Sequence, residues 1–163
     1  MKIRIREFQP EDAEETIAIW NQVVEEGMAF PQTEELGTED GIAFFEGQSY
    51  TGVACDEETG EIVGLYILHP NNIGRCGHIA NASYAVKGNL RGLRIGEKLV
   101  TAFLAKEGQM GFRLLQFNAV VRSNFVAQKL YDRLGFVKIG MVPGGFLNKK
   151  EEYEDIILYY HTL

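Results

Sequence analysis

A chain of 163 residues, 45% of them apolar and with ten Phe, seven Tyr and one Trp, can bury one core but is short for two. A single domain over residues 1–163 is therefore expected. A net charge of −7 argues against general binding of phosphate backbones, so no nucleic-acid partner is expected.

No apolar run approaches the roughly 18 residues of a membrane span. Met1-Lys2-Ile3-Arg4 opens into an alternating strand and not a signal peptide, so the chain reads as cytoplasmic with no membrane partner. Cys55 and Cys76 lack C-x-x-C spacing, which predicts neither a disulfide nor a metal site; both read as small buried hydrophobes.

In chain order, Ile3, Ile5 and Phe8 mark a short strand, and Gln9-Pro10-Glu11-Asp12 starts a helix with acidic residues in its first turn. Ile17, Trp20, Val23 and Val24 form that helix's buried stripe, and Gly27 ends it. Residues 28–47 have poor periodicity until a short helix over 38–46, which reads either as a substrate-facing lid or as an ordered surface connection. Strands over 50–54 and 62–68 flank a hairpin turn at 56–60, and a polar connection follows from His69 to Gly77.

Strands over 78–86 and 114–121 enclose a helix over 97–107, the order of a right-handed crossover with parallel strands. A helix opening at Asn124 carries Ala127, Leu130, Tyr131 and Leu134 on one stripe and closes at Gly135. Strands over 137–141 and 155–161 then surround a Gly-rich loop at 143–148. Asn81 and Asn118 fall inside the two central strands, where asparagine is disfavoured and a buried amide needs partners. They read either as satisfied structural amides or as groups pointing into a cleft.

Two segments carry chemistry. Val86 to Gly96, VKGNLRGLRIG, runs from a strand through a Gly-rich turn into a helix start, where converging N–H groups suit phosphate. About thirty residues on, NFVAQKLYDRLGF sets one hydroxyl, Tyr131, toward the core side. Together they resemble motifs A and B of the GNAT superfamily of acetyl-CoA-dependent N-acetyltransferases, in which a (Gln/Arg)-x-x-Gly-x-(Gly/Ala) turn grips the CoA pyrophosphate. Here that turn is Arg91-Gly92-Leu93-Arg94-Ile95-Gly96, with Arg94 where the family usually has its first glycine.

The resemblance implies an α/β fold: a twisted mixed sheet with a splayed pair of parallel central strands, flanked by helices. It implies acetyl-CoA as acetyl donor, with Tyr84, Ala85 and Val86 holding the pantetheine arm through main chain and Asn124 beside it. It also implies Tyr131 as the acid for the departing thiolate, against the plain alternative of a core-edge tyrosine. GHIANASYAV together with FNAVVRSN is similar to the branch that includes L-azetidine-2-carboxylate acetyltransferases, whose matching asparagines contact substrate; this implies substrate roles for Asn81 and Asn118.

The implied acceptor is a small-molecule amine such as an amino acid or related toxic compound, and a homodimer is compatible with the sequence. A noncatalytic acyl-CoA sensor and a protein or peptide acetyltransferase are the alternatives. The general base stays open among His78, Glu25, Glu26, Glu34 and water.

Overall fold

The computed structural model describes residues 1–163. Its elements are β1 (Ile3–Glu7), α1 (Ala13–Glu26), α2 (Thr38–Glu46), β2 (Tyr50–Asp56), β3 (Ile62–Pro70), β4 (Ile79–Val86), α3 (Ile95–Gln109), β5 (Leu114–Val121), α4 (Phe125–Arg133), β6 (Val137–Leu147) and β7 (Tyr153–Thr162). The seven strands form one sheet in the order β1-β2-β3-β4-β5-β7-β6, antiparallel except for β4 and β5. A mixed sheet with helices on both faces is the expected fold class. No helix is long and apolar enough to cross a membrane.

Each face of the sheet has its own core. Ala80 and Ala82 of β4 with Leu115 and Phe117 of β5 pack against Ile95, Leu99 and Phe103 of α3 and Leu130 of α4. Ala85 of β4 and Val53, Leu65 and Ile67 of β2 and β3 pack against Ile17, Trp20 and Val24 of α1 and Phe45 of α2. The alternation of a strand therefore decides which core each residue of β4 enters. Trp20 is 1% exposed and packs at tilted and edge-on angles against Phe30, Phe44 and Phe45, so its truncation to Ala should cost about 3–5 kcal/mol.

The parallel pairing of β4 with β5 is brief. Ile79 pairs with Leu114 and Ala80 with Leu115, and no ladder joins the strands beyond that point. On its other side β5 breaks register with β7 between Phe117 and Val120, a bulge that bends the strand and increases its twist. The two strands diverge from Asn81 and Gln116 onward, leaving the β5-facing N–H and C=O groups of β4 without a strand partner.

Three expectations need correction. The run Pro143 to Leu147 belongs to β6, not to a loop; the connecting turn is 148–152. β6 is an edge strand, where Pro143 costs no ladder bond, and the extra residues are absorbed by a register break between Val142 and Phe146 with Gly144 at φ +64°. Cys76 is exposed and Cys55 half-buried, so neither is a core residue. The helix predicted from residue 97 begins at Ile95, because Arg94 takes the left-handed conformation that starts it.

Candidate active site

The phosphate turn joins β4 to α3. Gly92 lies at φ +89° and Arg94 at φ +62°, ψ +20°, so the backbone adopts the left-handed form at the position where a glycine would do so without strain. None of the N–H groups from Arg91 to Glu97 finds an acceptor in the protein. Seven successive uncommitted donors, the last of them at the positive end of a 15-residue helix, suit an anion. Space is open around Gly92, and a Cβ on Gly96 would lie 3.6 Å from the Tyr84 ring, so the turn sits directly over β4. These residues fit a phosphate-bearing cofactor. The Arg94 side chain is 81% exposed, its guanidinium 3.9 Å from Glu97.

Asn124 caps α4: its Oδ1 accepts from Ala127 N at 3.2 Å. That helix buries Ala127, Leu130 and Tyr131. Tyr131 is 4% exposed, its ring 4.7 Å from that of Phe117 and 5.0 Å from that of Phe136. Its hydroxyl meets the Tyr84 hydroxyl at 2.9 Å. Burial raises the Tyr131 phenol well above its ordinary value, assisted by the neighbouring Tyr84. Burial also pushes Tyr84 up to about 12, with the hydrogen bond it shares with Tyr131 opposing. Both phenols stay protonated through neutral pH.

The sequence singled out Tyr84 for its main chain. Its side chain, overlooked there, reaches across the splay on the α3/α4 face and packs on Phe103. Ala85 points the other way, into the α1/α2 core, and Val86 returns to the α3 side.

The opposite face holds amides. Asn81 Nδ2 donates to Asn71 Oδ1 at 3.0 Å, and Asn118 Nδ2 donates to the same oxygen. Asn81 Oδ1 accepts from Ala82 N at 2.7 Å, and Asn118 Oδ1 accepts from Gln116 Nε2 at 3.0 Å. Asn81 and Asn118 thus meet through Asn71, a residue from the polar connection that sequence reasoning passed over. Asn71 Oδ1 accepts two bonds and the Asn81 and Asn118 oxygens one each, while the Asn71 Nδ2 protons and the second proton on each of the other amides face no partner. The cluster presents N–H donors and no charge.

The end of α1 bridges the mouth of the splay. On one side Arg91 makes a two-pronged ion pair with Glu26, at 2.9 and 2.8 Å, and Gln22 Oε1 accepts from Gly88 N at 3.1 Å. On the other, Lys149 N donates to Gly27 O at 3.0 Å and Lys149 Nζ to Glu25 O at 2.6 Å. The contact is close enough that a Cβ on Gly27 would stand 2.7 Å from Lys149 Cβ. Of the possible bases, Glu26 is engaged with Arg91, while His78 and Glu34 are exposed and make no hydrogen bond through their side chains.

Comparison with known proteins bears on the family and the fold. N-acetyltransferase aca1 of Schizosaccharomyces pombe is 34% identical over 122 residues, a match covering 70% of this chain and 58% of that protein. This chain therefore spans less than two thirds of that relative's length. A GCN5-related N-acetyltransferase from Kribbella flavida superposes with a TM-score of 0.90 at 31% identity, over 99% of this chain and 98% of that one. A phosphinothricin acetyltransferase from Sinorhizobium meliloti, solved in complex with AcCoA, superposes with a TM-score of 0.88 over 100% and 89%; at 18% identity that likeness is one of fold. The model of the acetyltransferase (GNAT) family matches residues 14–136, from the first turn of α1 to the strand entry after α4, and the chain belongs to that family.

Proposed function

We propose that this chain transfers the acetyl group of acetyl-CoA to the amine of a small molecule that also carries a carboxylate or carbonyl. The observation that carries the reading is the pair of contacts across the splay, phenols on one face and amides on the other.

Acetyl-CoA, when bound, supplies the activated thioester. The N–H groups from Arg91 to Glu97 hold its pyrophosphate, with Arg91 and Arg94 adding charge-assisted bonds. Tyr84, Ala85 and Val86 offer the unpaired main-chain groups of β4 to the pantetheine arm as an added strand, and Asn124 lies beside it. Tyr131 Oη keeps its proton at neutral pH and gives it to the departing sulfur, with Tyr84 Oη able to donate to Tyr131 in turn.

On the other face Asn81 and Asn118, gathered by Asn71, direct their unspent N–H donors at an acceptor's oxygen atoms. Being uncharged, they select a hydrogen-bond acceptor by direction and not by field. L-Azetidine-2-carboxylate, toward which the sequence resemblance points, combines a compact secondary amine with a carboxylate. The bridge from Gly27 to Lys149 favours such compact acceptors over a polypeptide laid across the mouth.

The noncatalytic sensor reading draws on Arg94, but the backbone there already holds the conformation a glycine would take. Thiol release from acetyl-CoA, screened over small amines with and without carboxylates, tests the proposal. Turnover with a compact carboxylate-bearing amine supports it; binding of acetyl-CoA without transfer to any amine would return the sensor.

A further inference from the structure

Arg91 has two anions to serve. Its guanidinium is clamped on Glu26 by both prongs, yet it opens the turn whose N–H groups are otherwise uncommitted. Glu26 is the last residue of α1, beside Glu25, and the last turn of that helix contains no basic residue. An anion at a helix C-terminus faces the negative end of the dipole, so Glu26 depends on a cation from elsewhere. The same helix end takes a second cation, Lys149, on the Glu25 carbonyl. The two side chains of the Arg91–Glu26 pair are 45% and 39% exposed, so the pair is weak enough to exchange. A pyrophosphate brings more charge than one carboxylate and is backed by the N–H groups of the turn, so it is the stronger claimant for the guanidinium.

Resting on the acetyl-CoA reading above, we propose that Glu26 competes with the cofactor pyrophosphate for Arg91, so that cofactor binding breaks the Arg91–Glu26 link between the phosphate turn and the end of α1. Gln22, through Gly88 N, keeps α1 attached while the exchange occurs. Glu26 is left as an unpaired carboxylate at the carbonyl-rich end of the helix, and the segment after Gly27 loses one of its two flanking ties. Cofactor occupancy thereby loosens the acceptor-side bridge, which couples the two halves of the splay.

Calorimetric titration of CoA into wild type, Glu26→Gln, Arg91→Ala and the double variant decides this without turnover. Removing the competitor should tighten CoA about 3-fold in the Arg91 background, Arg91→Ala alone should weaken it, and Glu26→Gln should have no effect once Arg91 is gone. Weaker CoA binding in Glu26→Gln would mean that the carboxylate positions Arg91 for phosphate, and the proposal would be wrong. Equal tightening in both backgrounds would reduce Glu26 to general repulsion and overturn it as well. Failure of wild type itself to bind CoA would instead remove the cofactor reading on which the proposal stands.

Discussion

Tyr84 and Tyr131 share one hydrogen bond, 2.9 Å between hydroxyl oxygens, linking β4 to α4 over the gap where the central strands part. If Tyr131 gives its proton away, the bond must run from Tyr84 to Tyr131, so the two phenols act in series. Tyr131→Phe should lower kcat about 10²-fold or more with little change in CoA affinity, because the ring still fills its place between Phe117 and Phe136. Tyr84→Phe should cost less, about 10-fold, by leaving the Tyr131 hydroxyl without its donor. Burial raises both phenols, Tyr84 up to about 12, so any alkaline limb in kcat near neutral pH belongs to another group and should persist in both variants. Unchanged kcat in Tyr131→Phe would return that residue to the core.

Arg94 is one of two non-glycine residues at positive φ, the other being Glu151 in the β6–β7 turn. A side chain in the left-handed region costs roughly 1 kcal/mol. Arg94→Gly and Arg94→Ala both delete the charge and differ by one Cβ. The glycine variant should melt about 2–4 °C above the alanine variant, a shift of about 1 kcal/mol for a chain of this size. Equal melting temperatures would mean that the turn relaxes when the side chain changes.

Glu107, on α3, is fully buried, and neither carboxyl oxygen has a partner. Burial pushes its pKa up to about 9 from an ordinary value near 4.5. Below 4.5 the group is protonated in both folded and unfolded chains. As pH rises from there toward 9, the unfolded chain gives up the proton and the folded one keeps it. Stability should therefore fall across that window, by at most about 1.4 kcal/mol per pH unit from this group. Glu107→Gln removes that contribution, so denaturant titrations from pH 5 to 9 should show a shallower decline than wild type. Parallel slopes would show that the carboxyl titrates normally.

What the sequence made legible was what is local. The phosphate turn and the Asn124 cap are set by a few neighbouring residues, and the helix stripes of α1 and α4 follow from spacing alone. The Asn71 position was not legible, because a loop residue ten places before Asn81 meets Asn118 only when two strands part in space. Tyr84 was read for its main chain because the family resemblance assigns that strand's backbone to the pantetheine arm, although alternation puts its ring on the apolar face of β4 with Ala80, Ala82 and Val86. Pro143-Gly144-Gly145 has the composition of a loop, and only the pairing of an edge strand with a bulge makes it part of β6. The hold of Arg91 on Glu26 spans 65 residues and leaves no local trace.

The amide cluster carries the central claim that the acceptor is recognised by its oxygen atoms, and Asn118 probes it best, being exposed and at the rim of the bulge. The direct measurement is kcat/KM for an amine with a carboxylate and for its decarboxylated counterpart, in wild type and in Asn118→Ala. Wild type should prefer the carboxylate-bearing amine, and the variant should lose about tenfold against that substrate, one hydrogen bond of roughly 1.4 kcal/mol, with little loss against the counterpart and CoA affinity intact. Equal losses with both amines, or no preference in wild type, would contradict the account.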